Sequence, residues 1–220
     1  YAEDGEWDQA IKKCNEVLDT DVKISEAWLN LFFWTQHTTQ KKGLPLQSTA
    51  QTIEGCKKVL ADNKKIADSF QMKYFINAVQ FADQGDKQRL NLYREQILQR
   101  ISNIRSDILQ QMISIGNNKL PQEKFTEAKQ AYNTVLEINE KEGRAYLGNF
   151  LAELQAKSLE HAVAKIEQTE CAAFTQNHNL KKAFMFADDS LKHRLIGFRE
   201  SAVKRLDELI DECKVKENDI

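Results

Sequence analysis

Glycine and proline are scarce here, at 8 and 2 among 220 residues, so the chain has few tight turns. Charge of one sign is not in excess either: 31 Lys+Arg against 33 Asp+Glu give a formal net charge of -2 and a pI near 6.2. No overall basic field is available to hold a polyphosphate, and there is no acidic tail. No apolar run is long enough for a membrane-spanning helix, and the start of the chain lacks the basic-then-apolar pattern of a signal peptide. Because the first residue is Tyr1 rather than Met, the chain reads as a fragment of a longer soluble polypeptide. The four cysteines, Cys14, Cys56, Cys171 and Cys213, form no CxxC pair and have no Cys/His spacing that fits zinc. They are expected to stay reduced in a cytoplasmic compartment, and a chain of this length needs no disulfide. A glycine-rich phosphate loop is lacking, and no cofactor or metal is expected.

What is abundant is charge interleaved with apolar residues at steps of three and four, the helical period. Trp7, Ala10, Ile11, Cys14, Val17 and Leu18 form one stripe, with Asp8, Lys12, Lys13, Glu16 and Asp19 opposite. This pattern predicts a helix with one buried side. After a break at Thr20 to Lys23, Ser25-Glu26 is an N-terminal signal for a second helix through Ala27, Trp28, Leu31 and Phe32. Beyond Gly43-Leu44-Pro45, a third stripe covers Ile53 to Leu60 and a fourth Ile66 to Ala82. From Asp86 to about Ile115 neither Pro nor Gly interrupts the period, which predicts one long helix ending at Gly116-Asn117-Asn118. Further helices are expected over Phe125 to Leu136 and Ala145 to Leu154, near Leu159 to Ile166 and Asn179 to Ala187, and from Asp189 onward. No stretch alternates long enough to be a strand, so the expected fold class is all-α.

The pattern also repeats. Glu6-Trp7-Asp8-Gln9-Ala10 aligns with Lys124-Phe125-Thr126-Glu127-Ala128, and at the same spacing Val17-Leu18 meets Val135-Leu136, Ala27-Trp28-Leu29 meets Ala145-Tyr146-Leu147, and Phe32-Phe33 meets Phe150-Leu151. With a shorter spacing, Phe81-Ala82-Asp83 meets Phe186-Ala187-Asp188 and Arg89-Leu90 meets Arg194-Leu195. The sequence therefore predicts one module twice, over 1–115 and 116–220, the second shortened where the first carries the loop around Lys41 to Leu46.

Gly5, Trp7, Ala10, Cys14, Val17-Leu18, then Ala27-Trp28 and Leu31, resemble the second helix of a tetratricopeptide repeat followed by the first helix of the next. Phe125, Ala128, Tyr132, Val135-Leu136 and Ala145-Tyr146 resemble it in the second copy. The run Arg144 to Leu154, with Phe186-Ala187-Asp188 beyond it, is similar to duplicated modules of uncharacterised bacterial proteins in which extra helices follow the pair. The proline that usually closes such a pair is replaced by Val22 and Glu140. The resemblance implies a right-handed TPR-like helical-repeat array, built from two copies of a degenerate helix pair plus extra helices. It also implies that each pair offers the face of its first helix to a protein or peptide partner: Glu26, Leu29, Phe33 and Gln36 in one copy, Arg144, Leu147, Leu151 and Gln155 in the other. Leu29 with Phe33, and Leu147 with Leu151, are then covered either by the chain's own extra helices, the expectation for a monomer, or by a partner. Trp28 and Tyr146 are expected in the seam between the two helices of their copies.

No nucleophile, base and orienting group stand together. His37, His161, His178 and His193 are far apart, and a Cys171/His178 thiol-imidazole pair would have no Asn or Asp to orient it. Asp188-Asp189 reads as a helix cap and Asp207-Glu208-Asp211-Glu212 as a solvated face. The expectation is a non-enzymatic protein-interaction or scaffolding module. The alternative, a nucleic-acid-binding helical solenoid, would use Lys41-Lys42, Lys57-Lys58, Lys64-Lys65, Lys181-Lys182, Lys192-His193-Arg194 and Arg199; near-neutral charge argues against it.

Overall fold

The computed structural model describes residues 1–166, 174 and 176–218, with side chains described as far as 212. Among these residues there are helices and no strands. In order they are α1 (Trp7–Thr20), α2 (Ser25–Trp34), α3 (Ile53–Ser69), α4 (Lys73–Phe81), α5 (Gln84–Lys119), α6 (Phe125–Ile138), α7 (Gly143–Glu153), α8 (Leu159–Ala164), α9 (His178–Met185) and α10 (Asp189–Asn218). The chain forms two compact units, Tyr1–Ile108 and Leu109–Ile220, so that α5 contributes to both. No helix among the described residues is long and apolar enough to cross a membrane.

In the first unit α2 is the central helix. Ala27, Trp28, Leu29, Leu31, Phe32 and Phe33 are all buried, which leaves it no solvent face worth the name. It packs between α1 and α4. On one side the Cys14 thiol donates to the Ala27 carbonyl at 3.1 Å. On the other the Ser25 hydroxyl donates to the Ala78 carbonyl at 2.7 Å. Ser25 was expected to cap α2; the helix instead starts from an extended Ile24 without a side-chain cap, because the hydroxyl is committed to α4. Burial pushes the thiols of Cys14 and Cys56 up, and both are free. Cys171 and the Cys213 side chain lie outside the described residues, and the Cys171/His178 pair with them.

Aromatic rings fill this core. Phe32 lies 5.1 Å from both Phe70 and Phe75, and Phe33 lies 5.9 Å from Tyr93 on α5. Trp28 stacks on Tyr74 of α4 at 6.3 Å, while its indole N–H donates to the Val22 carbonyl at 2.7 Å. Tyr146 correspondingly stacks on Phe186, at 5.9 Å, with the Lys182 ammonium 6.0 Å from its ring. The aromatic partners of both rings are thus in or just beyond a later helix, while the indole N–H of Trp28 is held in the connection between α1 and α2.

Two boundaries differ from the expected ones. A single α3 runs from Ile53 to Ser69 and breaks at 70–72, where Phe70 turns into the core and the Ser69 hydroxyl donates to Ile66 O at 2.6 Å. The long helix passes through Gly116 to Lys119, and the left-handed residue after it is Glu123, at φ 62. Glu123 N–H bonds to Leu120 O at 3.0 Å and Lys124 N–H to Lys119 O at 3.1 Å, which closes the chain reversal. Gly116 serves a different purpose. A Cβ there would stand 2.6 Å from the Tyr132 ring, so glycine marks close packing rather than a helix stop.

Several local features recur at matched steps along the chain. Left-handed backbone occurs at Gly5 and Glu123, and again at His37 and Gln155. Val17 O and Val135 O accept the bonds that end α1 and α6, and both helices have 14 residues. Asp83 and Asp188 each accept a backbone N–H three residues on, at 2.8 Å, as caps of α5 and α10. Between the helix pairs and these caps the units differ: the 17-residue α3 has the 6-residue α8 at the matching place. The loop before α3 is tied by Asn63, whose amide donates to Gln47 O at 2.7 Å and accepts from Gln47 N–H at 3.2 Å.

Phe33→Ala is expected to cost about 3–5 kcal/mol, as Trp28→Ala does, since both empty a packed aromatic site. Urea unfolding followed by circular dichroism checks this; a Phe33→Ala midpoint equal to the wild type would place that ring at the surface.

Candidate functional site

The second unit is organised about α7, which packs against α6 and α9. Its two internal glycines permit this. A Cβ on Gly148 would lie 2.3 Å from the Tyr132 ring, and one on Gly143 would lie 2.8 Å from the Phe186 carbonyl oxygen. Tyr132 is fully buried, and its hydroxyl donates to Asn117 Oδ1 at 2.7 Å. One ring therefore wedges among α5, α6 and α7 and fixes their spacing. Burial drives the phenol far above its ordinary range, so it stays a protonated donor.

Beside this wedge is a cleft of about 690 Å³, lined from the last turns of α5, from α7, from α8 and from the middle of α10. Its apolar lining includes Ile113, Leu120, Leu147, Leu151, Leu159, Val163 and Phe198. Its charged lining is Arg144, Lys157, Arg194 and a single acid, Glu160. The Arg144 Nε–H donates to Glu142 at 2.8 Å and a terminal N–H donates to Gln110 at 2.6 Å, which leaves further guanidinium donors unspent. Glu142 keeps that guanidinium firmly charged. Lys157 pairs with Glu123 at 2.7 Å. Hydrogen bonds from Ser158 and from its own backbone N–H, with the Arg194 charge, hold the Glu160 carboxyl below its usual range. A smaller apolar groove of about 280 Å³, lined in part by Leu180, Phe184, Val203 and Leu206, runs along α9 and α10.

The expected partner-binding face divides between the units. In the first, Glu26 is exposed and Gln36 half-buried, but Leu29 and Phe33 are 9% and 2% exposed. There the chain's own helix covers the face, with Tyr93 of α5 over Phe33; in the second unit Leu147 and Leu151 are buried to the same extent, at 4% and 7% exposed. In the second unit Arg144, Leu147 and Leu151 all line the cleft. Gln155 is exposed and forms the left-handed end of α7, where Ala156 N–H returns to Leu151 O at 2.8 Å. Lys157 escaped the sequence reading because it follows α7 in a short connection that has no period, and Glu160 because it opens the short α8; the Ser158 cap, which accepts from His161 N–H at 3.2 Å, was the available signal.

Several of the basic residues have local partners. Lys64 and Lys65 pair with Asp68 and Asp62 on their own helix, at 2.5 and 3.3 Å, and Lys182 lies over Phe186. Arg205 pairs with Glu208 at 3.0 Å on the exposed end of α10. Among the described residues no group of three or more His, Cys, Asp or Glu is placed to hold a metal ion. Comparison of the chain with protein-family models, curated proteins and solved structures gives no match.

The helical glycines of the second unit separate wedge from cleft. A Cβ on Gly197, which lines the cleft, meets nothing within 4 Å. Gly197→Ala should stabilise by about 0.5–1 kcal/mol through helix propensity. Gly148→Ala should destabilise by about 1–3 kcal/mol, because it must displace the Tyr132 ring. Thermal melts of the two variants check the pair; equal shifts would contradict the geometry of the wedge.

Proposed function

We propose that this chain is a non-enzymatic protein-interaction module of TPR-like character, and that the cleft of the second unit receives a peptide segment of its partner. The observation that carries this reading is the cleft itself. It is about 690 Å³, within the usual range for ligand sites, and combines an apolar lining with a few convergent polar groups. Leu147 and Leu151 supply apolar contact there, and Arg144 supplies fixed donors. A groove between helices that takes apolar side chains of a partner is a recurring mode of peptide recognition.

The doubling of one module belongs to the same proposal. It is supported by the matched left-handed residues, helix ends and aspartate caps described above. On this reading Tyr93 covers Phe33 in the first unit, while in the second Leu147 and Leu151, themselves mostly buried, border the cleft. A cytoplasmic, scaffolding role is the corresponding setting, and the module needs no cofactor.

The test is selection of randomised peptides against the wild-type chain, with Gly197→Trp as counter-target. That substitution places bulk on the cleft wall where there is room for it, so the fold should persist. Peptides retained by the wild type and lost on Gly197→Trp are the expected result. Selected peptides that bind both proteins equally would overturn the assignment of the cleft.

A further inference from the structure

Resting on that reading, we infer that the segment received by the cleft is acidic: a short peptide that sets one or two apolar side chains on Leu147 and Leu151 and places carboxylates against Arg144, Lys157 and Arg194. Charge complementarity carries the assignment. The lining itself holds three cations and one carboxylate, while Glu142 and Glu123, the acids paired with Arg144 and Lys157, stand outside it. The cations also stand on different elements: Arg144 on α7, Lys157 in the connection to α8, and Arg194 on α10. Cations on three separate elements can meet carboxylates at more than one position of a docked segment.

The fixed groups agree with this placement. Arg144 is oriented by Glu142 and Gln110 and still has donors to offer, a preorganised geometry for a carboxylate. Lys157 has only an exposed partner, Glu123, 65% accessible, and an incoming carboxylate can replace or share that pair at small cost. The lone acid, Glu160, is engaged by Ser158 and by the Arg194 charge. A nucleic acid fits less well. The lining has one aromatic ring, Phe198, and leucines line the space that a sugar-phosphate chain would cross.

The experiment uses the full chain and fluorescence anisotropy. Three labelled peptides of about 15 residues share one leucine spacing and carry Glu, Gln or Lys at the polar positions; a single-stranded RNA of matching length is the fourth probe. Single rim ion pairs are weak, so three together should favour the Glu peptide over the Gln peptide by about tenfold, with the Lys peptide weaker still. The preference should shrink as salt rises. Arg194→Glu should reduce the Glu-over-Lys preference, and Arg194→Glu with Lys157→Glu should invert it. An inverted preference can come only from folded protein, so loss of structure does not imitate it. Equal affinity for the Glu and Gln peptides, both lost on Gly197→Trp, would overturn the acidic partner and leave the peptide cleft standing. No binding of any peptide would overturn both. RNA bound more tightly than the Glu peptide, and lost in the Arg194→Glu variant, would overturn the inference in favour of a nucleic-acid ligand.

Discussion

A helix that is apolar on every side has to be enclosed, and this structure has two of them. Six of the ten residues of α2 are buried, and eight of the eleven in α7. Neither can lie on a surface, so each draws a helix before it and helices after it into a wrapped bundle. The amphipathic helices α1 and α6 can cover only one side. The remainder falls to α4 and to part of α5 in the first unit, and to α8, α9 and α10 in the second. How completely that remainder is covered decides what each unit can do.

Both central helices are largely buried, yet α7 borders a cleft, and the side-chain volumes beside it bear on this. At matching steps the first unit has Phe33 against Tyr93, two rings in contact at 5.9 Å. The second has Leu151 and Phe198, a smaller side chain beside a single ring, and both line the cleft. The glycines of α7 belong to the same economy of volume: Gly148 yields its space to Tyr132, whose hydroxyl then holds Asn117 at the cleft wall.

Much of the fold was legible because helical period and caps are local properties. The stripes from Trp7 and Phe125 began where α1 and α6 begin, and Asp188 caps the last helix as its position suggested. What escaped was set by partners far along the chain. Ser25 looked like a cap until Ala78 came within hydrogen-bonding distance, and Gly116 looked like a stop until Tyr132 was found against it. Leu29 and Phe33 carried the spacing of a binding face, and no local pattern reveals that Tyr93 will cover it. At the site, Leu147 and Leu151 could be read from period, whereas Lys157 and Arg194 are brought to one opening only by the packing of α8 and α10.

The clip formed by Asn63 gives the first unit a second scale of stability. One side-chain amide takes both backbone bonds of Gln47, as a neighbouring strand would, while Leu44 is buried and Leu46 packs against the core. The loop between α2 and α3 is thus closed by a few contacts rather than by a ladder of bonds, and it can open without loss of the aromatic core. Amide hydrogens there should exchange with solvent through local opening, at rates set by the clip, while those of α2 wait for the whole unit to unfold. The Gln47 amide is consequently a reporter of the loop alone, able to register events that the buried helix beside it never feels.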